Sequence, residues 1–273
     1  MQSILLVEIS PSLMAEDNAT LRLYLTDPFR LSDAQWQRLR AAIDKLSSSV
    51  VVFGGRRYRF KRFYDAFING TYAYPFLQRL SALDNLEREG AVLQADIARK
   101  IVAWLHANGI LPATVAGAEY LIVYCLYWWA AFARGYLFEQ AVVRDLQAAG
   151  IRFQAHRAEH SADRYAPFDL WIPGLGHGDV KASIFFLDDL PDPPADFYVT
   201  RLYDSEQRRS RQIVFSTPLI WRRIDGEPKR TSLTGAVRVF PDPASVDVVG
   251  RPWIVVEYEV WKARVRRWQL RGN

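Results

Sequence analysis

Three carboxylates and one lysine carry the chemistry legible in this chain. Asp169 is followed after nine residues by Asp179-Val180-Lys181, and Glu139 stands thirty residues ahead of Asp169. Asp179 and Lys181 are two apart, so on a β-strand their side chains leave the same face of the sheet. A carboxylate and an ammonium then meet at one site beside two further acids. Carboxylate oxygens suit Mg²⁺, which keeps several of its waters, and an ion so held activates water against a phosphodiester. The chemistry expected of the group is metal-dependent phosphodiester hydrolysis.

The elements around these residues predict how they are positioned. Tyr136 to Ala149 reads as a helix that follows Gly135 and is capped by Gly150. Within it Glu139, Val142, Val143 and Leu146 fall at i, i+3, i+4 and i+7, one stripe of the helix. Taken alone, Glu139 fits an acid at the stripe's edge that reaches solvent or an arginine. Its place ahead of Asp169 and Asp179 favours an acid aimed at their site. Ile151 to Ala158 and Pro167 to Ile172 read as strands, the latter with Phe168, Leu170 and Ile172 on one face and Asp169 on the other. Pro173-Gly174-Leu175-Gly176 is turn chemistry, so Gly178 to Phe186 becomes the second strand of a hairpin. Past the proline-rich loop Pro191 to Pro194, strands are expected at Phe197 to Tyr203, Gln212 to Trp221 and Trp253 to Trp261, then a basic tail from Lys262 to Arg271.

The amino-terminal part reads as an α+β region. Residues 4–8 and 19–25 pattern as strands, and Ser32 is an N-cap opening a helix to about Leu46. Val50 to Phe53 is a strand ending at Gly54-Gly55, and helical periodicity runs from Leu83 to Leu105, closing near Asn108-Gly109. Pro112 marks a boundary between residues 1–112, a candidate DNA-recognition or dimerisation region, and residues 113–273, which carry the acids. Residues 115–133 approach the ~20 apolar residues of a membrane span. Glu119 within the run, Arg134 after it and the lack of a flanking basic cluster favour a buried helix and no membrane.

Half of the 273 residues are hydrophobic, which excludes a disordered chain and allows one large domain or two modest ones. The single cysteine, Cys125, excludes an intrachain disulfide and a cysteine-rich zinc site. Together with a first segment that lacks the pattern of a signal peptide, this points to a reducing cytoplasm. The net charge of +5 divides into +3 over residues 1–112, −5 over 113–200 and +7 over 201–273. An acidic middle between basic flanks suits a protein that gathers cations centrally and grips a polyanion at its edges. Ordinary variation among exposed faces accounts for the same division.

A helix bearing a glutamate, a strand, a strand with Asp169, a turn, and a strand with Asp179-Val180-Lys181 resembles the core of the PD-(D/E)xK nuclease superfamily. The resemblance covers roughly Gly135 to Phe186. It implies an α/β fold with a restriction-endonuclease-like core, a mixed central sheet flanked by helices, after the amino-terminal α+β region. It further implies Asp169, Asp179 and Glu139 as metal-binding acids, the carbonyl of Val180 as a further metal contact, and Lys181 as the catalytic lysine. The implied cofactor is Mg²⁺, with Mn²⁺ as a substitute, and the implied partner is DNA. The implied activity is that of an endonuclease hydrolysing DNA phosphodiester bonds, most simply a type II restriction-type enzyme, dimeric if its target is palindromic. A repair or defence nuclease of the same core, or a non-catalytic nucleic-acid-binding subunit, are the alternatives. Two departures stand out: Phe168 separates Pro167 from Asp169, and the second acid is Asp rather than the commoner Glu.

Other signals compete. His156-Arg157-Ala158-Glu159-His160 fits the H-x-x-E-H pattern of inverted zinc proteases, whose chemistry needs both histidines on a helix, yet the preceding residues read as strand. His177 reads as an exposed turn histidine or as a contact to substrate. Arg56, Arg57, Arg59, Lys61 and Arg62 interleave with Tyr58, Phe60, Phe63 and Tyr64, which suits phosphate contact with base packing and equally a two-faced strand. Arg208, Arg209, Arg211, Arg222 and Arg223, with Arg264, Arg266 and Arg267, are further candidate phosphate contacts.

Overall fold

A computed structural model describes residues 6–8, 20, 23–24, 31–109, 115–156, 168–188, 190, 194–204 and 209–272. Its contacts divide into two compact units, Met1–Ala133 and Arg134–Asn273. The division falls inside a helix, past the Pro112 boundary read from the sequence, which lies outside the described residues.

In the first unit, strands β1 (Leu6–Glu8), β2 (Val50–Phe53) and β3 (Arg56–Arg59) form an antiparallel sheet in that order. Helix α1 (Asp33–Ser48) opens as its sequence predicts. The Ser32 hydroxyl accepts from the Gln35 N–H at 3.3 Å and the Gln35 side chain accepts from the Ser32 N–H at 2.9 Å, a capping box. Thr20, Leu23 and Tyr24, the described part of the predicted second strand, are helical. The cation–aromatic alternation also stops being strand at Arg59. Phe60–Phe63 (α2), a π-turn at Tyr64–Asn69 and Gly70–Ser81 (α3) follow as helix, because Phe60, Phe63, Tyr64 and Ile68 bury at helical spacing. Helix α4 (Leu86–Ala107) is capped by Asn85 and stops at Gly109, whose φ of 84° is open to glycine.

Helix α5 runs unbroken from Val115 to Ala148, where two helices are expected from Gly135. A helical glycine costs only about 1 kcal/mol relative to alanine. The large buried side chains on either side of it, Trp129 and Phe138 among them, are each worth more than that on burial. Among the described residues α5 alone is long and apolar enough to cross a membrane. Tyr120, Leu121, Val123 and Tyr124 before the division, and Phe138, Val142 and Leu146 after it, are buried in the protein. The helix ends as Gly150 predicts: the Ile151 N–H donates to the Leu146 carbonyl at 3.1 Å and the Gly150 N–H to that of Gln147 at 2.9 Å.

The second unit holds a seven-stranded mixed sheet flanked by helices, an α/β arrangement. Its strands are β4 (Gln154–Ala155), β5 (Leu170–Ile172), β6 (Gly176–Lys181), β7 (Phe197–Asp204), β8 (Arg209–Ser216), β9 (Ala244–Val248) and β10 (Arg251–Glu257). The spatial order is β4-β5-β6-β7-β8-β10-β9, and only β6 and β7 are parallel. One face packs Leu170, Ile172, Val180, Phe197 and Val199 with Phe138, Val142 and Leu146 of α5 and with α8 (Tyr258–Leu270). The other packs Tyr198, Ile213, Phe215 and Trp253 with Ala236 of α7 (Leu233–Val239) and with a 3₁₀ turn at Ile184–Asp188.

Several predicted strands are cut short. The strand expected to reach Phe186 ends at Lys181 and bends at Ala182-Ser183. That expected to reach Trp221 ends at Ser216, because Thr217-Pro218 starts helix α6 (Pro218–Ile224) with proline at its first turn. The predicted basic tail is largely helix α8, which buries Tyr258, Trp261, Val265 and Trp268 at i, i+3, i+7 and i+10, leaves Arg266 and Arg267 exposed, and pairs the mostly buried Lys262 with Asp145 at 2.6 Å.

Candidate active site

The hairpin β5–β6 pairs Leu170 with Gly178 and Trp171 with His177, which sets Asp169 opposite Asp179. The Asp169 N–H donates to the Gly178 carbonyl at 3.1 Å, so the pairing continues one residue ahead of β5. Leu170, Ile172 and Val180 enter the core that α5 covers, while Asp179 and Lys181 leave the opposite face beside Tyr198 and Thr200 of β7. Phe168 departs from its predicted face. It packs with the second core and stacks on His177 at 4.9 Å, because the chain bends at Asp169 and breaks the alternation.

Gly178 is required by the close approach of β7. A Cβ there would lie 2.1 Å from ring carbons of Phe197, which is fully buried and has no room to yield. Gly178→Ala is therefore expected to destabilise the fold by about 1–3 kcal/mol in chemical denaturation. A change within about 0.5 kcal/mol, the range of neutral surface substitutions, would contradict this packing.

The side chains converge as the spacing suggests. The Lys181 ammonium lies 2.6 Å from Asp179 Oδ2, and Asp169 Oδ2 accepts the Val180 N–H at 2.8 Å. Asp169 and Asp179 bring their carboxyl groups close enough to act on each other, and Glu139 is close enough to act on Asp169 through its charge. Glu139 and Asp179 are buried, at 8% and 7% exposure. Burial first, then the Asp179 hydrogen bond and the Glu139 and Asp179 charges, hold the Asp169 carboxyl well above the usual range. Burial pulls the Lys181 ammonium down, but the charge and hydrogen bond of Asp179, with Asp169 behind it, leave it above its ordinary value. Lys181 is thus a fixed cation, and its 41% exposed side chain opens to solvent.

Two desolvated carboxyls brought together need a proton or a cation between them. Among the described residues no three His, Cys, Asp or Glu side chains form a ready-made ion cage. Asp179 is turned to Lys181, and Asp169 to the Val180 N–H. The donor set is nevertheless all oxygen, acidic and partly dry, which fits Mg²⁺.

This arrangement predicts a pH dependence in metal-free buffer. Asp169 holds its proton more tightly folded than unfolded, so its contribution to stability is complete below the ordinary carboxylate range. It is lost as pH rises through the raised value. In EDTA, Tm of the unsubstituted protein is expected to fall from about pH 5 to about pH 8 relative to Asp169→Asn. Parallel Tm curves would show that no such coupling exists.

The cationic candidates separate. Arg56, Arg57, Arg59 and Arg62 are exposed on or just after β3, in the first unit, and Lys61 is paired with Asp65 at 2.7 Å. Arg211 is largely buried: its side chain pairs with Glu257, with its guanidinium 5.7 Å from the Phe240 ring centroid. Arg222 is exposed beside Glu227, and Arg223 braces the hairpin turn by donating to the Gly174 carbonyl at 2.6 Å. Arg264 pairs with Asp225, whereas Arg266 and Arg267 are exposed. Arg208 and the side chain of Arg209 lie outside the described residues. His156 donates its N–H to the Asp169 carbonyl at 3.0 Å in an extended segment, so it lacks the helix a zinc protease needs; His160 lies outside the described residues. The sequence reading did not single out Thr200, whose buried hydroxyl has no hydrogen-bond partner among the described residues and which is the register neighbour of Lys181. Only knowledge of the β6–β7 pairing exposes it. Comparison with known proteins finds no family model, no curated protein and no solved structure that matches this chain.

Proposed function

We propose that this chain is a Mg²⁺-dependent endonuclease of the PD-(D/E)xK type that hydrolyses DNA phosphodiester bonds, working in the cytoplasm as a restriction-type enzyme. The observation that carries the reading is the Asp169–Asp179 carboxyl pair, with Glu139 acting on it and Lys181 fixed against Asp179. The order of elements around it agrees: helix with Glu139, short strand, hairpin, and a strand ending at Lys181.

Asp169, Asp179 and Glu139 would hold the ion, with the Val180 carbonyl as a further oxygen donor. Bound there, Mg²⁺ supplies a Lewis acid for the scissile phosphate and a water of lowered pKa. The chain's own contribution is positional. Burial on β6 and α5 keeps the acids from solvating separately. The Val180 N–H fixes the orientation of Asp169. Lys181, held protonated, places a positive charge where negative charge develops on the phosphate oxygens and orients the attacking water. A raised pKa favours this charge role over that of a base at neutral pH. A palindromic target would be read by a two-fold homodimer.

The test is cleavage by the purified chain of plasmid, linear duplex, single-stranded and branched DNA. Products are expected with MgCl₂ or MnCl₂ and none with EDTA. Binding of these DNAs without cleavage in either metal would replace the reading with a non-catalytic nucleic-acid-binding subunit.

A further inference from the structure

We propose that Thr200 is a positioning residue for Lys181: its hydroxyl accepts an N–H of the Lys181 ammonium and holds that charge over the site when the Asp179 carboxylate is engaged elsewhere. The proposal rests on the nuclease reading for its consequence and adds a residue that no sequence motif marks.

Strands β6 and β7 are the parallel pair of the sheet, with Asp179 in register with Tyr198 and Lys181 in register with Thr200. Register partners on neighbouring strands project from the same face about 4.8 Å apart, so Thr200 stands beside Lys181 within reach of the four-carbon stem. Thr200 is fully buried, and its hydroxyl has no hydrogen-bond partner among the described residues. Valine has the same outline, suits a strand equally and buries no such group. An orphaned hydroxyl at this position therefore calls for a partner that it meets in another state of the site.

The surroundings leave one. Along β7 the neighbours on this face are Tyr198 and Leu202, and across on β8 stands Ile213. Leu202 and Ile213 carry no polar side-chain atom. The Tyr198 hydroxyl reaches back to accept the Ala195 N–H at 2.9 Å, ahead of the strand and away from Thr200. On the remaining side is Lys181, whose ammonium lies 2.6 Å from Asp179 Oδ2 and has three N–H groups to give. The nitrogen thus has a charged acceptor two residues back on its own strand and a neutral one across the ladder. Asp179 is also the acid whose oxygens the proposed ion would share with Asp169. Moving the ammonium's bond to Thr200 frees Asp179 without letting the charge swing into solvent. A neutral acceptor also leaves the full positive charge for the phosphate oxygens, where a carboxylate would offset it.

The test uses the full chain and reads the contact and the chemistry separately. Thr200→Val keeps the outline of the side chain and removes the hydroxyl. In EDTA it is expected to leave Tm unchanged or higher, because the hydroxyl it removes is unpaired there. In an Asp169→Asn, Asp179→Asn background neither acid holds the ammonium by charge, and there the same substitution is expected to lower Tm. In single-turnover DNA cleavage with MgCl₂, Thr200→Val is expected to lose about 10–100-fold, the span of one hydrogen bond to a charged group. Thr200→Ser keeps the hydroxyl and most of the rate, even where the lost methyl lowers Tm. In a Lys181→Met background Thr200→Val is expected to change the rate by no more than about twofold, since the ammonium it acts through is gone. A native cleavage rate in Thr200→Val overturns the proposal while the nuclease reading stands. The same holds if Thr200→Val changes Tm equally in both backgrounds, or if its loss of rate persists undiminished in Lys181→Met. If the unsubstituted protein cleaves nothing yet Thr200→Val lowers Tm only in the Asn background, the contact stands and the nuclease reading falls.

Discussion

Asp179→Asn is expected to abolish DNA cleavage, by at least about 10³-fold, while leaving the fold intact and the metal-free protein no less stable. The reasoning starts from charge. Asp179 is 7% exposed and its charge acts on Asp169, as does that of Glu139, so the folded chain brings together acids that the unfolded chain separates. Asparagine keeps the shape and removes one charge. The lost Lys181 pair matters little for stability, since Lys181 is 41% exposed and an exposed pair contributes under about 1 kcal/mol. Tm in EDTA should therefore hold or rise. Any rise in Tm on adding Mg²⁺ should disappear, because that rise is binding free energy to a site the variant lacks. Retained cleavage by a folded Asp179→Asn protein would sink the assignment.

Lys181→Met carries the second large effect. Methionine preserves the stem of the side chain and removes only the ammonium. Removing one charge-stabilising donor from a reaction of this class costs about 10²–10³ in kcat. The loss should fall on the single-turnover rate rather than on DNA affinity. Lys181→Arg should recover only part of it, since the guanidinium is a planar fork and the ammonium a compact point charge. The ammonium stays protonated above its ordinary range, so the rate of the unsubstituted protein should not climb as pH enters the lysine range. A climb that Lys181→Met abolishes would make Lys181 a base instead.

The site was more legible than the sheet that carries it. Alternation along β6 alone places Asp179 with Lys181 and Val180 with the core, and helical spacing alone puts Glu139 with Val142 and Leu146; both are local properties of the backbone. The Gly150 cap and the Ser32 N-cap were readable for the same reason. Strand ends were not, because they depend on what the chain meets next. Lys181 ends β6 where the chain bends, and Ser216 ends β8 where Thr217-Pro218 favours a helix. Phe168 took the unexpected face because a bend at Asp169 outweighs period two. Helix α8 was hidden by its arginines, which read as a tail until Trp261, Val265 and Trp268 are seen to share one stripe. Arg211 shows the same limit. In sequence it stands with other arginines as a candidate phosphate contact, and only the structure shows its side chain packed against Glu257. Cross-strand pairing decides such cases, and no spacing along the chain contains it.

The central claim is that Asp169, Asp179 and Glu139 hold one hard cation. The most direct measurement is the anomalous difference density of crystals of the full chain soaked in MnCl₂. A single strong peak bridging the carboxylates of Asp169 and Asp179, absent from Asp179→Asn crystals treated alike, is the predicted result. Well-ordered carboxylates with no peak between them, at manganese concentrations that support DNA cleavage, would contradict it.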